Sequence, residues 1–276
     1  MTVTCRRIQK LEKTKVFQSK VGIVIPAYNE ARHIEALLAA CRKTGPAVVV
    51  VVDDSSTDGT MEILDRIRQR LLPSLPLRVL QTEKNLGKQG AVRLGLKELE
   101  DWSLDAVALM DGDGQHDPKQ LPTLALLLEK YDMVIGARSH DEMPWHRRLS
   151  NWLVNKTFRI IGGVDFVDVQ SGLRVYKKHL ADALAQGLDE GGAYGIEHES
   201  LTLVAKFSRE HDTPVRAAAA EITCSYGNSI SKMKKRQMLR LAVQTVEQAI
   251  GFRIACAGSG VCTRDGEAMT APCGID

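Results

Sequence analysis

The sequence predicts an α/β domain: a mostly parallel sheet flanked by helices. Three observations carry this expectation. Five short runs rich in Val, Ile, Leu and Ala alternate with amphipathic segments, the pattern of a parallel sheet wrapped by helices. The run at 48–52 is valine at every position, as a strand buried on both faces requires. Each run stops in a polar cluster, and open α/β sheets bind ligands outside the carboxyl ends of their strands.

Strands are expected at 21–26, 48–52, 78–81, 106–110 and 133–136, with helices at 31–41, 60–71, 88–99 and 118–129. The turn Ser56-Thr-Asp-Gly-Thr60 has helix-capping chemistry, and Asp117-Pro118 opens the fourth helix in the same way. Beyond Arg138 the pattern changes. Residues 143–163 begin basic and continue amphipathic. A polar turn at 168–174 leads into a short strand at 175–176. A helix is expected from 197 towards 207, a last strand at about 215–224, and one amphipathic helix over 232–255. Its inward face should carry Met238, Leu239, Ala242, Val246, Ala249 and Ile250. The expected organisation is a basic extension at 1–20, a domain at 21–228, this helix within 229–257, and a poorly ordered tail at 258–276.

At 276 residues the chain suits one large domain, or one with an elaborated second half. A net charge of +3 makes no case for nucleic acid. Six cysteines without a Cys-x-x-Cys pair suggest reduced thiols in the cytoplasm. Residues 1–20 lack the apolar stretch of a signal peptide, and no apolar run approaches the roughly 20 residues of a membrane span. A soluble or membrane-surface protein is expected.

Chemistry concentrates in Leu109-Met-Asp-Gly-Asp-Gly-Gln-His-Asp-Pro118, an apolar run ending abruptly in oxygen ligands. On a strand, Asp111 and Asp113 point the same way, and two such carboxylates repel unless a cation lies between them. Mg²⁺ and Mn²⁺ prefer such ligands and commonly keep places for substrate phosphates. Taken alone, an acidic turn after a buried strand is an equal reading. The other strand ends carry Tyr28-Asn-Glu30, Asp53-Asp-Ser55, Asn85-Leu-Gly-Lys88 and Arg138. Together these describe a site for a charged, metal-carrying ligand.

Ile25-Pro-Ala-Tyr-Asn-Glu30, Val52-Asp-Asp-Ser-Ser-Thr-Asp-Gly59, Asn85-Leu-Gly-Lys-Gln-Gly90 and Asp111-Gly-Asp113 resemble the family 2 inverting glycosyltransferases of the GT-A fold. The longer Asp111-Gly-Asp-Gly-Gln-His-Asp-Pro118 is similar to the polyprenyl-phosphate branch, typified by dolichyl-phosphate mannosyltransferase. Gly136-Ala-Arg138, Arg147-Arg-Leu-Ser-Asn151 and Asp168-Val-Gln-Ser-Gly-Leu-Arg174 support that branch, and the likeness spans about residues 20–232.

The resemblance implies that Pro26, Tyr28 and Glu30 border the nucleoside, with Val52, Asp54 and adjacent Asp53 by the base and ribose. It implies that Asp111, Asp113 and Gln115 hold Mg²⁺ or Mn²⁺ on the donor diphosphate, with Gly112 letting the backbone pass close to the ligand. Arg138 and one of Arg147 or Arg148 would meet an acceptor phosphate, and Lys232 the nucleotide phosphates. Two departures stand out. Tyr226 occupies a place where that branch usually has arginine, and the membrane helices of many relatives have no counterpart here.

The implied reaction moves a sugar from a GDP- or UDP-linked donor to polyprenyl phosphate, by a peripheral enzyme at the cytosolic face of the membrane. A sugar-hydroxyl acceptor is the alternative. It would require a carboxylate base, for which Glu197 and Glu199 are candidates, although solvated acids at a helix start look the same. A catalytically silent nucleotide-sugar binder is a third reading. A nucleotidyltransferase ranks last, since no Gly-rich basic loop stands at the N-terminus. His116 is expected to order its turn by hydrogen bonding, and His198 to pair with its flanking glutamates. Trp145 and Trp152 suit a membrane interface, Trp152 equally a core.

Overall fold

A computed structural model describes residues 4–8, 20–71, 75–139, 143–189, 195–225 and 235–256. Among them eight strands form one sheet. In chain order these are β1 (Thr4–Ile8), β2 (Val21–Ala27), β3 (Val48–Asp53), β4 (Leu77–Gln81), β5 (Ala106–Leu109), β6 (Met133–Arg138), β7 (Arg174–Lys177) and β8 (Arg216–Ile222). The spatial order is β1-β8-β6-β7-β5-β2-β3-β4. All pairings are parallel except those of β7, which runs antiparallel between β5 and β6.

The helices are α1 (Ile34–Arg42), α2 (Thr60–Leu71), α3 (Gly87–Glu98), α4 (Leu121–Leu126), α5 (Trp145–Thr157), α6 (Lys178–Gly187), α7 (Ile196–Glu210) and α8 (Lys235–Cys256). They divide the apolar interior into two layers. Val48, Val50 and Val52 face a layer containing buried side chains of α3, α6, α7 and α8, while Val49 and Val51 face one with those of α1, α2 and α4. Alternation across the pleat therefore buries every residue of β3, and each buried valine contributes roughly 1.5–3 kcal/mol.

Several elements depart from expectation. The helix expected at 118–129 is broken into two single 3₁₀ turns around α4; at the first break Pro122 lacks the N–H that a continuous ladder would use. Within the expected N-terminal extension, Thr4–Ile8 is a parallel edge strand on β8. α8 is rotated relative to expectation. Thr245, Ala249, Phe252 and Ala255 pack inward, whereas Ala242, Val246 and Ile250 are exposed. The side chains of Met238 and Leu239, and the tail at 258–276, lie outside the described residues. No helix among the described residues is long and apolar enough to cross a membrane.

Candidate active site

The carboxyl ends of β2 and β3 form one wall of the site. Register pairs Ala27 with Asp53, so the loops after them leave the sheet side by side. Asn29 and Ser55 take left-handed backbone conformations, φ 57° and 58°, which reverse the chain where each strand ends. Short polar side chains then join the loops. Asn29 N donates to Ser56 Oγ (2.9 Å), Thr57 N to Asn29 Oδ1 (2.8 Å), and Glu30 N to Thr60 Oγ1 (2.9 Å). Tyr28 stays about half exposed beside this junction.

The two aspartates at the end of β3, Asp53 within it and Asp54 just beyond, have different duties. Asp54 accepts from the backbone N–H groups of Leu86 (2.7 Å) and Gly87 (2.8 Å) and from Thr82 Oγ1 (3.1 Å). It thus satisfies the open N-terminal donors of α3. Asp53 is fully buried, and its Oδ1 has no hydrogen-bond partner among the described residues. A buried carboxylate oxygen without a donor is costly unless a ligand supplies one. Of the two carboxylates, Asp54 is thus engaged at both oxygens and Asp53 keeps one open. Val52 was expected near the base, but its side chain is wholly buried beneath α3. Pro26 lines a small cavity with Lys88 and Asp111.

The site floor lies beyond β5. A Cβ on Gly112 would approach the Pro26 carbonyl oxygen to 2.9 Å, so only glycine lets this turn press against β2. Asp111 is joined at 2.6 Å by Lys88 Nζ, which also donates to Glu197. The resulting acid–ammonium–acid triad brings together the start of α3, the end of β5 and the first turn of α7. Burial alone would lower the Lys88 pKa, but the flanking carboxylates outweigh it and hold the ammonium charged. Burial pushes the Asp111 carboxyl up, and Lys88, His116 and Arg138 together bring it below the ordinary range. Glu197 follows the same pattern, chiefly through Lys88.

Asp113 behaves differently. Burial and the charge of Asp111 raise its pKa to about 6, although Gln115 N donates to its Oδ1 at 3.0 Å. Gln115 is held between two groups: its Nε2 donates to Asp113, and its Oε1 accepts from Arg147 Nη1 at 2.9 Å. Arg147 thus reaches the loop expected to hold metal, while neighbouring Arg148 is exposed. Arg138 makes a two-pronged pair with buried Asp168, at 2.8 and 2.9 Å. Its guanidinium lies at the site edge with that partner already in place.

Fully buried Arg174 fastens the floor from below. It donates to the carbonyls of Val169 (2.6 Å), Ser171 (3.0 Å) and Glu197 (2.7 Å), and to Ser200 Oγ (2.8 Å). It thereby fixes the backbone at Glu197 and the loop whose Gly172 leaves room for the Asp111 carboxylate. The sequence reading missed this role of Arg174 and the coupling of Lys88 to Glu197. The signals were Lys88 in Asn-Leu-Gly-Lys and the arginine closing Gln-Ser-Gly-Leu-Arg.

His116 is buried, its Nδ1 lies 3.4 Å from Cys224 Sγ, and burial lowers its pKa to about 4. With Ser225 N donating to Gln115 O at 2.9 Å, it docks residues 224–225 on the turn. His198 does not form the expected ion pair. It is buried against Phe158 with Nδ1 3.4 Å from Thr245 Oγ1, and burial lowers its pKa to about 4. Trp152 is about half exposed rather than core. Lys232 and Tyr226 lie outside the described residues.

The donor set fits a hard divalent cation. Burial and the charge of Asp111 raise the Asp113 carboxyl, a cost that a cation between the two would relieve, and Gln115 offers an amide oxygen that here accepts from Arg147. Among the described residues no three His, Cys, Asp or Glu side chains cluster to hold a metal. Protein ligation would be sparse, with substrate oxygens completing the shell.

Comparisons with known proteins agree with this geometry. Residues 22–183 match the family described as Glycosyl transferase family 2. The chain is 30% identical over 196 residues to an undecaprenyl-phosphate mannosyltransferase of Micrococcus luteus, covering 69% of this chain and 79% of that protein. It is 30% identical over 171 residues to an undecaprenyl-phosphate 4-deoxy-4-formamido-L-arabinose transferase of Serratia proteamaculans, covering 60% of this chain but only 51% of that longer protein. The fold superposes on glucosyl-3-phosphoglycerate synthase from Mycobacterium tuberculosis, solved with Mn²⁺ and UDP-glucose, with a TM-score of 0.60, 17% identity and coverage of 94% and 90%. A parallel sheet with one antiparallel insertion, an acidic turn at its carboxyl edge and a family match over most of that sheet make this chain a member of glycosyltransferase family 2, with the GT-A fold.

Proposed function

We propose that the chain is a divalent-metal-dependent inverting glycosyltransferase that moves a sugar from a GDP- or UDP-linked donor to a polyprenyl phosphate, working at the cytosolic face of the membrane. The observation that carries the acceptor class is the Lys88–Glu197 pair. A hydroxyl acceptor needs a carboxylate to take its proton; of the two candidates Glu199 has its carboxyl raised by burial but does not line the cavity beside Asp111, whereas Glu197 does and is engaged there by an ammonium that lowers its basicity. A phosphate acceptor is already ionised near neutral pH, since its second pKa is about 6, and needs no such base. Both relatives described above carry undecaprenyl phosphate in their names, which supports the same acceptor.

In this reading the unpartnered Oδ1 of Asp53 receives an N–H or O–H of the nucleoside, with Pro26, Tyr28 and Glu30 bordering it. Asp111, Asp113 and Gln115 hold Mg²⁺ or Mn²⁺, which when bound supplies positive charge to the leaving diphosphate. Lys88 keeps Asp111 ionised and oriented. Arg147 and Arg138 stand where an incoming phosphate would meet them, Arg148 lies further out, and Lys232 is assigned to the donor phosphates. Attack by the phosphate oxygen forms the new bond to the anomeric carbon as the nucleoside diphosphate departs from the opposite face, inverting the centre.

The test is nucleoside diphosphate release with a panel of UDP- and GDP-sugars, Mn²⁺ or Mg²⁺, and a short polyprenyl phosphate. Release should require both metal and lipid phosphate and vanish in Asp113→Ala. Release with a sugar hydroxyl acceptor instead, lost in Glu197→Gln, would overturn the acceptor assignment. Donor binding without any turnover would mark a silent binder.

A further inference from the structure

α5 has two unlike sides. Viewed down its axis at about 100° per residue, Trp145, Leu149, Trp152, Leu153 and Ile160 fall within an arc of about 140°, extended through the following π-turn. All five are exposed, Trp145 to 76% and Ile160 to 64%. Arg148, Lys156 and Arg159 share that arc and are exposed too. Lys156 Nζ lies over the Trp152 ring, 4.6 Å from its centre. Asn151, Val154 and Phe158, on the opposite side, are buried. Arg147 belongs to this inner side, where it reaches Gln115.

No acidic residue occurs from 143 to 164. The nearest described acid is Asp165, an exposed group 4.0 Å from Arg159. The adjoining α8 extends the apolar character with exposed Val243, Val246, Ile250 and Ile254, and adds Arg253 and Glu247. Large apolar groups interleaved with cations, with acids confined to the margin, fit one occupant well. A second copy presenting the same arc would set cation against cation, with no acid on the arc to pair them. A bilayer surface bearing anionic lipid accepts the apolar rings below its headgroups and the cations among its phosphates.

We infer that the outer face of α5 and its π-turn, continued by α8, is a docking surface for anionic membrane. This deepens the membrane-face reading by naming the surface, the lipid class and an orientation. The same helix that rests on lipid reaches the metal loop through Arg147. A phosphate head on a lipid anchor can therefore enter the site without its chain leaving the membrane.

The test is co-sedimentation of the full chain with phosphatidylcholine vesicles, with and without phosphatidylglycerol, in the absence of donor and acceptor. Wild type should partition strongly only when phosphatidylglycerol is present. Leu149→Ser with Trp152→Ser should lower that partition more than tenfold, and Lys156→Glu with Arg159→Glu should do the same, with unchanged far-UV circular dichroism. If either pair misfolds, the tryptophan fluorescence of wild type decides: a blue shift on anionic vesicles supports docking, and none overturns it. Equal partition of well-folded variants and wild type would overturn it. So would loss of a dimer in the variants with vesicle binding intact. The transfer reading is separated by nucleoside diphosphate release on detergent-dispersed short acceptor, which the variants should retain. Absence of that release alongside normal vesicle binding would refute the transfer reading and leave docking standing.

Discussion

The two walls of the site are built by different means. The wall at the ends of β2 and β3 is fixed by short polar side chains bonding to the backbone of the adjoining loop, as with Ser56, Asn29, Thr60 and Asp54. The floor, beyond β5 and β7, is held by long charged side chains that reach across elements: Lys88 to Glu197, Arg138 to Asp168, Arg174 to three carbonyls. Loss of one short bond leaves the neighbouring bonds in place, whereas loss of one long cation strands several buried partners at once. The wall at β2 and β3 should therefore tolerate substitution, and the floor should fail sharply.

The largest effect tests what both walls serve. Asp113→Ala should lower transfer by about 10³-fold or more, read as nucleoside diphosphate release. Next is Arg174→Met, which leaves the carbonyls of Val169, Ser171 and Glu197 without their donor. It should remove about 3–5 kcal/mol of stability in denaturant unfolding. Lys88→Met should reduce kcat by about 10²-fold, and Glu197→Gln by less. A Glu197→Gln loss equal to that of Asp113→Ala would recast the floor as a base-bearing site.

Behind the sheet, Asp132 pairs with Lys177 at 2.6 Å and accepts from Arg216 N at 2.9 Å. Burial raises its carboxyl, but the bonds from Lys177 and Arg216 win, so its folded pKa lies below the ordinary value. Its stabilisation is then full above the unfolded carboxylate value, about 4, and fades as pH falls through the lower folded one. Asp132→Asn should cost about 1–2 kcal/mol at neutral pH, with the gap to wild type closing on acidification. The smallest effect belongs to the wall at β2 and β3: Thr60→Val, which takes the acceptor from Glu30 N, should cost about 1 kcal/mol. If that substitution proved worse than Arg174→Met, the contrast between the walls would collapse.

The half around β2 and β3 was legible in the sequence because both faces of β3 are buried and its polar loop residues follow directly on the strands. Runs such as 48–52 declare themselves, and Thr60 sits beside the helix it begins. The floor was legible only as motifs. Nothing near Lys88 announces Glu197, which lies 109 positions away, and nothing in Arg174 announces the carbonyls that bury it. β1 was missed because Thr-Cys-Arg-Arg-Ile lacks the apolar run of a central strand. The phase of α8 was misjudged because alanine and threonine face the core while valine and isoleucine face outward.

The antiparallel strand β7 has a consequence for how the molecule comes together. β5 and β6 each pair with it and not with each other, so neither can complete its ladder until residues 174–177 arrive. A chain growing from its N-terminus carries two open strand edges across that interval, the kind of surface that invites mispairing. The segment that closes them also delivers Arg174 and, just ahead of it, Gly172. Filling the gap between β5 and β6 and placing Arg174 and Gly172 beneath Asp111 therefore depend on the same short segment.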